Sequence, residues 1–159
     1  MKEYLFSLIF TFHFMSIDKK EPGENKTSEN KNTSESENNE QKLRNEIRSE
    51  LSYFIGTEKY YKVYPNLIIT DGIKFLAERA ECFWLIDLVY SYQSLAKVKK
   101  EPFQVYELDV DLNTQMAKMV CSDGNDNILQ TQFIPFTTFP LESIKLYFTD
   151  GILLLPSEY

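Results

Sequence analysis

Glu107, Asp109 and Asp111 stand at every second position of a run in which Tyr106, Leu108, Val110 and Leu112 fill the places between and after them. Residues two apart on an extended strand point to the same side, so this spacing sets three carboxylates in one row. Such a row could bind a cation or a basic partner, and it is the best acid cluster in the chain. Asp87 is a fourth candidate. It interrupts the apolar stretch Phe83–Tyr92 and shares a narrow polar strip with Ser91 and Ser94. These four acids are the candidate partner-binding residues, and none is assigned a catalytic role. The run Asp123–Asn127 has the look of an opening calcium loop. Its sixth position, which should be glycine, is Ile128, and its twelfth, which should be a bidentate glutamate, is Ile134. A hairpin turn built on Asp123–Gly124 is the reading that fits.

Other chemistries lack their residues. The one histidine, His13, lies far from the acids, in the N-terminal segment. That removes Ser–His–Asp and Cys–His catalysis and histidine metal sites from the rest of the chain. Cys82 and Cys121 are too few for a four-cysteine zinc site, and their apolar surroundings predict two buried, reduced thiols. Neither a phosphate loop nor a dinucleotide fingerprint is present. No cofactor and no metal is expected.

The elements that must position the acids follow from periodicity. Leu43, Ile47, Leu51 and Phe54 recur at helical spacing, and Gly56 is placed to end that helix as a left-handed cap. Tyr60–Tyr64 reads as an irregular aromatic stretch. Pro65–Asn66 turns it into Leu67–Ile69, and Thr70 or Asp71 caps a second helix, with Lys74 and Glu78 as an i,i+4 pair. Glycine and proline are absent from Ile73 to Glu101, so one long helix fits, as does a junction near Ala80–Cys82. From Phe103 the period changes to two. Strands are expected at Phe103–Leu112, Gln115–Cys121, Ile128–Ile134, Ile144–Thr149 and Ile152–Leu155, with Asp150–Gly151 as a hairpin turn. Helices followed by strands imply an α+β fold: N-terminal helices packed on one face of an antiparallel meander of about four to five strands.

Composition sets the frame. The chain has 159 residues and a net charge of −7, most of the acidic excess lying in the C-terminal part. That balance argues against direct nucleic-acid binding, which needs clustered Lys and Arg, and suits a basic protein partner. Three parts emerge. Residues 1–17 form an apolar prefix. Its core, Tyr4–Ile17, is short of the ~20 residues of a spanning helix, and Met15 offers an alternative start. Residues 18–42 carry no aliphatic or aromatic side chain. Such a tract cannot offset an ordering cost of roughly 1–2 kcal/mol per residue, and it reads as a disordered linker. Residues 43–159 form one domain.

Many short segments of that domain, in order, resemble a family of small uncharacterised bacterial domains found on phages and plasmids. They include Phe54–Thr57, Thr70–Glu78, Trp84–Asp87, Ser91–Gln93, Phe103–Val105, Asp123–Asn125, Ile144–Tyr147 and Asp150–Tyr159. The likeness runs from about Leu51 to Tyr159. It implies an accessory protein of a mobile genetic element, with no catalytic residues to carry over. The resulting expectation is a cytoplasmic, non-enzymatic protein-binding module, an inhibitor of a host nucleic-acid-targeting defence nuclease (anti-CRISPR-like) being the leading case. The alternatives are a metal- or carboxylate-dependent enzyme using the four acids, and an accessory domain tethered to a membrane through the prefix.

Overall fold

The computed structural model describes residues 29–125 and 127–159. The apolar prefix and residues 18–28 lie outside them. The elements run α1 (Glu29–Leu51), β1 (Tyr60–Tyr64), β2 (Leu67–Thr70), α2 (Asp71–Arg79), α3 (Phe83–Tyr92) and α4 (Ala96–Lys99). There follow β3 (Phe103–Asp111), β4 (Met116–Ser122), β5 (Ile128–Ile134), β6 (Ser143–Thr149), β7 (Ile152–Leu154) and a 3₁₀ turn at Pro156–Glu158. The seven strands form one sheet in the order β1-β2-β7-β6-β3-β4-β5.

The α+β class holds, with two corrections to the sheet. It has seven strands rather than four to five, and it is mixed. Ile68 and Ile69 pair in parallel with Ile152 and Leu153, while the other neighbours are antiparallel. The stretch Tyr60–Tyr64 lacks alternation because it is an edge strand with little burial, yet it forms a hairpin with β2 across Pro65–Asn66. The β2–β7 contact joins segments from opposite ends of the domain, which no local pattern encodes.

Helix α1 reaches back to Glu29, into the tract read as a disordered linker. From Asn38 onward, burial begins at Leu43, which is half-buried, and Ile47 is fully enclosed. Before that point the helix is supported by side-chain pairs one turn apart: Glu40 with Arg44 at 3.8 Å, Lys42 with Glu46 at 3.9 Å, and Gln41 donating to Asn45 at 3.1 Å. Once a packed turn exists, propagation costs far less than nucleation, so a polar segment can continue a helix that it could not start. At the other end α1 stops at Leu51. Gly56 is not a left-handed cap, and Phe54, beyond the helix, packs on Phe75 with ring centroids 5.3 Å apart.

The long apolar stretch is broken into α2 and α3. Thr70 caps α2, accepting from the Ile73 amide at 3.4 Å. Glu81 takes the left-handed conformation (φ 50°), and the Cys82 amide donates back to Ala77 at 3.0 Å. That is a Schellman ending with glutamate where glycine is usual, which is why no glycine marks the junction.

The four helices of the described residues lie on the face of the sheet that carries Gln104, Tyr106, Leu108 and Val110 of β3, Ala117, Met119 and Cys121 of β4, and Leu146 and Phe148 of β6. One core fills the space between. The opposite face is open apart from an aromatic cluster. There Phe103, Tyr147 and Tyr159 meet with centroids 5.0–5.7 Å apart. Two-residue turn geometry closes β6 onto β7: Asp150 and Gly151 both have positive φ (51° and 79°), as a type I′ turn requires.

Candidate functional site

The strand alternation that aligned Glu107, Asp109 and Asp111 is realised, and all three project from the open face of β3. Each is already engaged or opposed. Glu107 pairs with Lys145 of β6 at 2.7 Å, and the pairing holds the lysine's proton more firmly than usual. Asp109 lies opposite Lys118 of β4 in the ladder register. Asp111 serves its own turn: its Oδ1 accepts from the Asn113 amide at 2.9 Å and the Thr114 amide at 3.3 Å. Hydrogen bonding from Thr114, and then from Asn113, lowers its pKa. Asp123 closes its loop in the same manner, taking hydrogen bonds from Asn127 and Asn125 that lower its pKa. Among the described residues no group of three His, Cys, Asp or Glu side chains is gathered as a metal would need.

Asp87 is not brought to this row. It sits on α3, on the helix side of the sheet, where its Oδ1 accepts the Tyr64 hydroxyl at 2.5 Å. That bond, ahead of desolvation and charge, raises the tyrosine's pKa. The Tyr64 ring stacks on Tyr90, centroids 4.0 Å apart and planes 9° from parallel, so β1 is clamped to α3 at this point. Asp87 nonetheless stays exposed. Beside it a groove of about 430 Å³ runs between α3 and β5. Trp84 and Leu88 form one wall and Ile134 and Phe136 the other, with Asp87, Ser91, Gln132, Thr137 and Thr138 supplying polar atoms. Phe136 is half-exposed at its mouth. Sequence reasoning found Asp87 and Ser91 but missed the other wall. Phe136 follows Pro135 just after a strand, and only the fold sets it across from α3.

Two further polar constellations were not anticipated. Under α3 and α4, Gln104 is 1% exposed and Tyr106 0%. The Tyr106 hydroxyl donates to Gln104 Oε1 at 2.7 Å and accepts from Gln93 Nε2 at 2.9 Å. Gln104 Nε2 donates to the Val98 and Glu101 carbonyls at 2.9 and 3.1 Å, tying the α4–β3 connection to the sheet. Burial pushes the Tyr106 hydroxyl well above the ordinary tyrosine range and that of Tyr92 up to about 12. A glutamine on the inward side of β3, in phase with Tyr106, was the available signal. The two thiols also lie in this layer. Burial raises Cys82 to about 12 and Cys121 to about 11, so neither is a nucleophile at neutral pH, and both are free.

The second constellation joins two segments far apart in the chain. Glu158 accepts from Thr70 Oγ1 at 2.6 Å, the Leu155 amide at 2.9 Å and the Gly72 amide at 3.0 Å, at the N-terminus of α2. A Cβ at position 72 would come within 2.7 Å of the Glu158 carboxylate, so glycine is required for this approach. Burial raises the Glu158 pKa and Asp71 adds to the rise, against the hydrogen bonds from Thr70, Leu155 and Gly72 that pull it down. This is a latch between the Thr70–Gly72 corner and the chain end, with its acceptors already filled by the protein.

The molecule is thus an α+β domain with a one-sided helical layer, an apolar groove along one sheet edge, and acids spread over two faces. By its sequence the chain belongs to a family of unknown function, DUF6876, whose model matches residues 45–159. No curated protein and no solved structure matches the chain. Among the described residues no helix is long and apolar enough to cross a membrane.

Proposed function

We propose that the domain is a non-enzymatic protein-binding module whose contact surface is the groove between α3 and β5. The supporting observation is the composition of that groove: Trp84, Leu88, Ile134 and Phe136 offer an apolar slot, and Asp87 stands exposed at its edge. Interfaces concentrate their energy in such aromatic-lined slots with a few polar groups around them. The fitting partner presents an apolar side chain next to a lysine or arginine. The open-face row Glu107, Asp109 and Asp111 becomes the lesser candidate, because Lys145 and Lys118 offset two of its charges.

In the finer reading the module belongs to a mobile genetic element, acts in the cytoplasm, and occludes a basic host enzyme that handles nucleic acid, a defence nuclease above all. The net charge of −7 supports that choice, since an acidic domain is steered toward a basic groove at low ionic strength. The test is cleavage by a panel of purified RNA-guided nucleases with full-length chain added, at low and high salt. Inhibition at low salt that weakens as salt rises, and that is lost in Asp87→Lys and Leu88→Glu variants of unchanged melting temperature, is the expected result. Unchanged cleavage and no binding across the panel would remove the nuclease target. Inhibition indifferent to both substitutions would remove the groove.

A further inference from the structure

Strand β5 ends the sheet on one side and pairs only with β4. Its sequence is Ile128–Leu129–Gln130–Thr131–Gln132–Phe133–Ile134, seven residues with no charge and no proline. Natural edge strands are normally blunted by lysine, proline, a bulge or brevity, because their free N–H and C=O groups recruit other strands. The opposite edge follows that rule. β1 has five residues, carries Lys62 at its centre, and is irregular between Lys62 and Tyr64. β5 is longer, has its one register shift near the Ile128 end, and leaves Ile128 and Phe133 exposed at 64% and 76%.

The residue order of β5 says what would cover it. The strand reads nearly the same in both directions about Thr131: isoleucine at each end, then a large apolar residue, then glutamine, then the central threonine. Two antiparallel copies related by a two-fold axis at Thr131 therefore oppose like with like. Thr131 meets Thr131, Gln130 meets Gln132, Leu129 meets Phe133, and Ile128 meets Ile134. The symmetry extends one place further, since Asn127 and Pro135 are mirror positions, and Pro135, having no N–H, closes the ladder at both ends. The β4 register puts Thr131 and Phe133 on the open face, opposite Val120 and Lys118, and Gln130 and Gln132 on the helix face, opposite Cys121 and Met119. The new central pairs are thus threonine with threonine on the open face and amide with amide on the helix face, where Gln132 Oε1 also accepts from Tyr92 at 3.2 Å. The register shift at Leu129 turns that residue onto the core and sets Ile128 beside Ser122 on the open face, so the outer positions match in residue order and not in face. An arbitrary foreign strand has no reason to match this order. Nor does the acidic charge of the domain oppose the contact, because none of it lies on β5.

We infer that β5 is the interface of a homodimer in which two copies pair antiparallel about Thr131 and continue one sheet across both. The arrangement is isologous and closed, so it uses up the exposed edge instead of propagating it. Both helical layers fall on the same face, and the two α3–β5 grooves lie on either side of the axis. The interface needs no partner protein, so its test is separate from that of the proposed function.

The experiment is sedimentation equilibrium of the full chain over a wide concentration range, alone in buffer. The expected result is a reversible monomer–dimer equilibrium whose dissociation constant rises by about tenfold or more in Thr131→Lys and in Phe133→Lys, each of which sets like charges near the axis. Circular dichroism and melting of the diluted variants confirm that the fold survives. In a third variant, Thr131→Cys, mild oxidation links two chains through position 131, because directly opposed strand residues lie within disulfide reach. A chain that stays monomeric at every concentration overturns the inference and leaves the edge to a foreign strand. A dimer that persists in both lysine variants, or a Thr131→Cys dimer that does not cross-link, overturns it as well.

Discussion

The two faces of the sheet handle polar groups in opposite ways. On the helix-covered face, in the layer beneath α3 and α4, polar side chains are few and answer to one another: Gln93, Gln104 and Tyr106 close their hydrogen bonds inside the protein. On the open face, charges are many and each has only loose company, as Glu107 has Lys145, with both side chains roughly half-exposed. The difference is water. A buried donor or acceptor without a partner costs about 1–3 kcal/mol, so the covered face must be self-sufficient, whereas an exposed pair competes with solvent and is worth about 0–1 kcal/mol. Conspicuous charges are therefore a poor guide to what holds this domain together, and the quiet glutamines are a better one.

Substitutions can press on that contrast. The largest effect is expected from Tyr106→Ala, which empties an enclosed aromatic site and orphans Gln104. A loss of about 3–5 kcal/mol should be seen in urea unfolding, against much less for Tyr147→Ala on the open face. Tyr106→Phe isolates the hydroxyl and should cost about 1–3 kcal/mol. A result near zero would mean that water reaches the network and that the two faces differ less than their burial indicates.

Glu158 comes next, half-buried between a filled set of donors. Glu158→Ala should cost about 1–3 kcal/mol by leaving the Gly72 and Leu155 amides unpaired. Its pH behaviour has a definite sign. The folded-state pKa is raised above the usual glutamate value of 4.5, so the folded chain binds this proton more tightly than the unfolded one. The associated stability is fully present below that value and is lost as pH rises through the folded pKa. Melting curves from acid to neutral pH should thus show a decline attributable to this group, and Glu158→Gln should flatten it. An unchanged slope would assign the decline to other groups.

The smallest effect belongs to the open-face pair. A double-mutant cycle on Glu107 and Lys145 should return about 0.2–1 kcal/mol, shrinking with added salt. A coupling of several kcal/mol, indifferent to salt, would give the open face a role in stability that its exposure denies.

How much of this is legible without coordinates differs by element. Where alternation is clean, as from Tyr106 to Asp111, both the strand and its two faces follow from residue order alone. The Asp150–Gly151 hairpin is equally plain, because its turn demands residues that tolerate positive φ. The Tyr60–Tyr64 strand is hidden because an edge needs no regular burial. The end of α2 is hidden because Glu81 takes a conformation that usually advertises itself with glycine. The start of α1 is hidden because composition reports what a segment can bury and not what helix it continues. Of the site, Asp87 is visible as a lone acid in an apolar helix. The groove beside it is not, because its far wall comes from Ile134 and Phe136, whose approach to Trp84 depends on the order of strands.

That order also bears on how the chain is made. β7 lies between β2 and β6, so it seams the β1–β2 hairpin to the rest of the sheet, and it is the last of the seven strands to be synthesised. The four-strand block β6-β3-β4-β5 can assemble as its segments emerge. The β1–β2 hairpin, translated first, has no neighbouring strand until Ile152 and Leu153 leave the ribosome. On a nascent chain the hairpin can gain its helical cover from α2 and α3 early, but the edge of β2 stays unpaired until the last strand of the sheet is made.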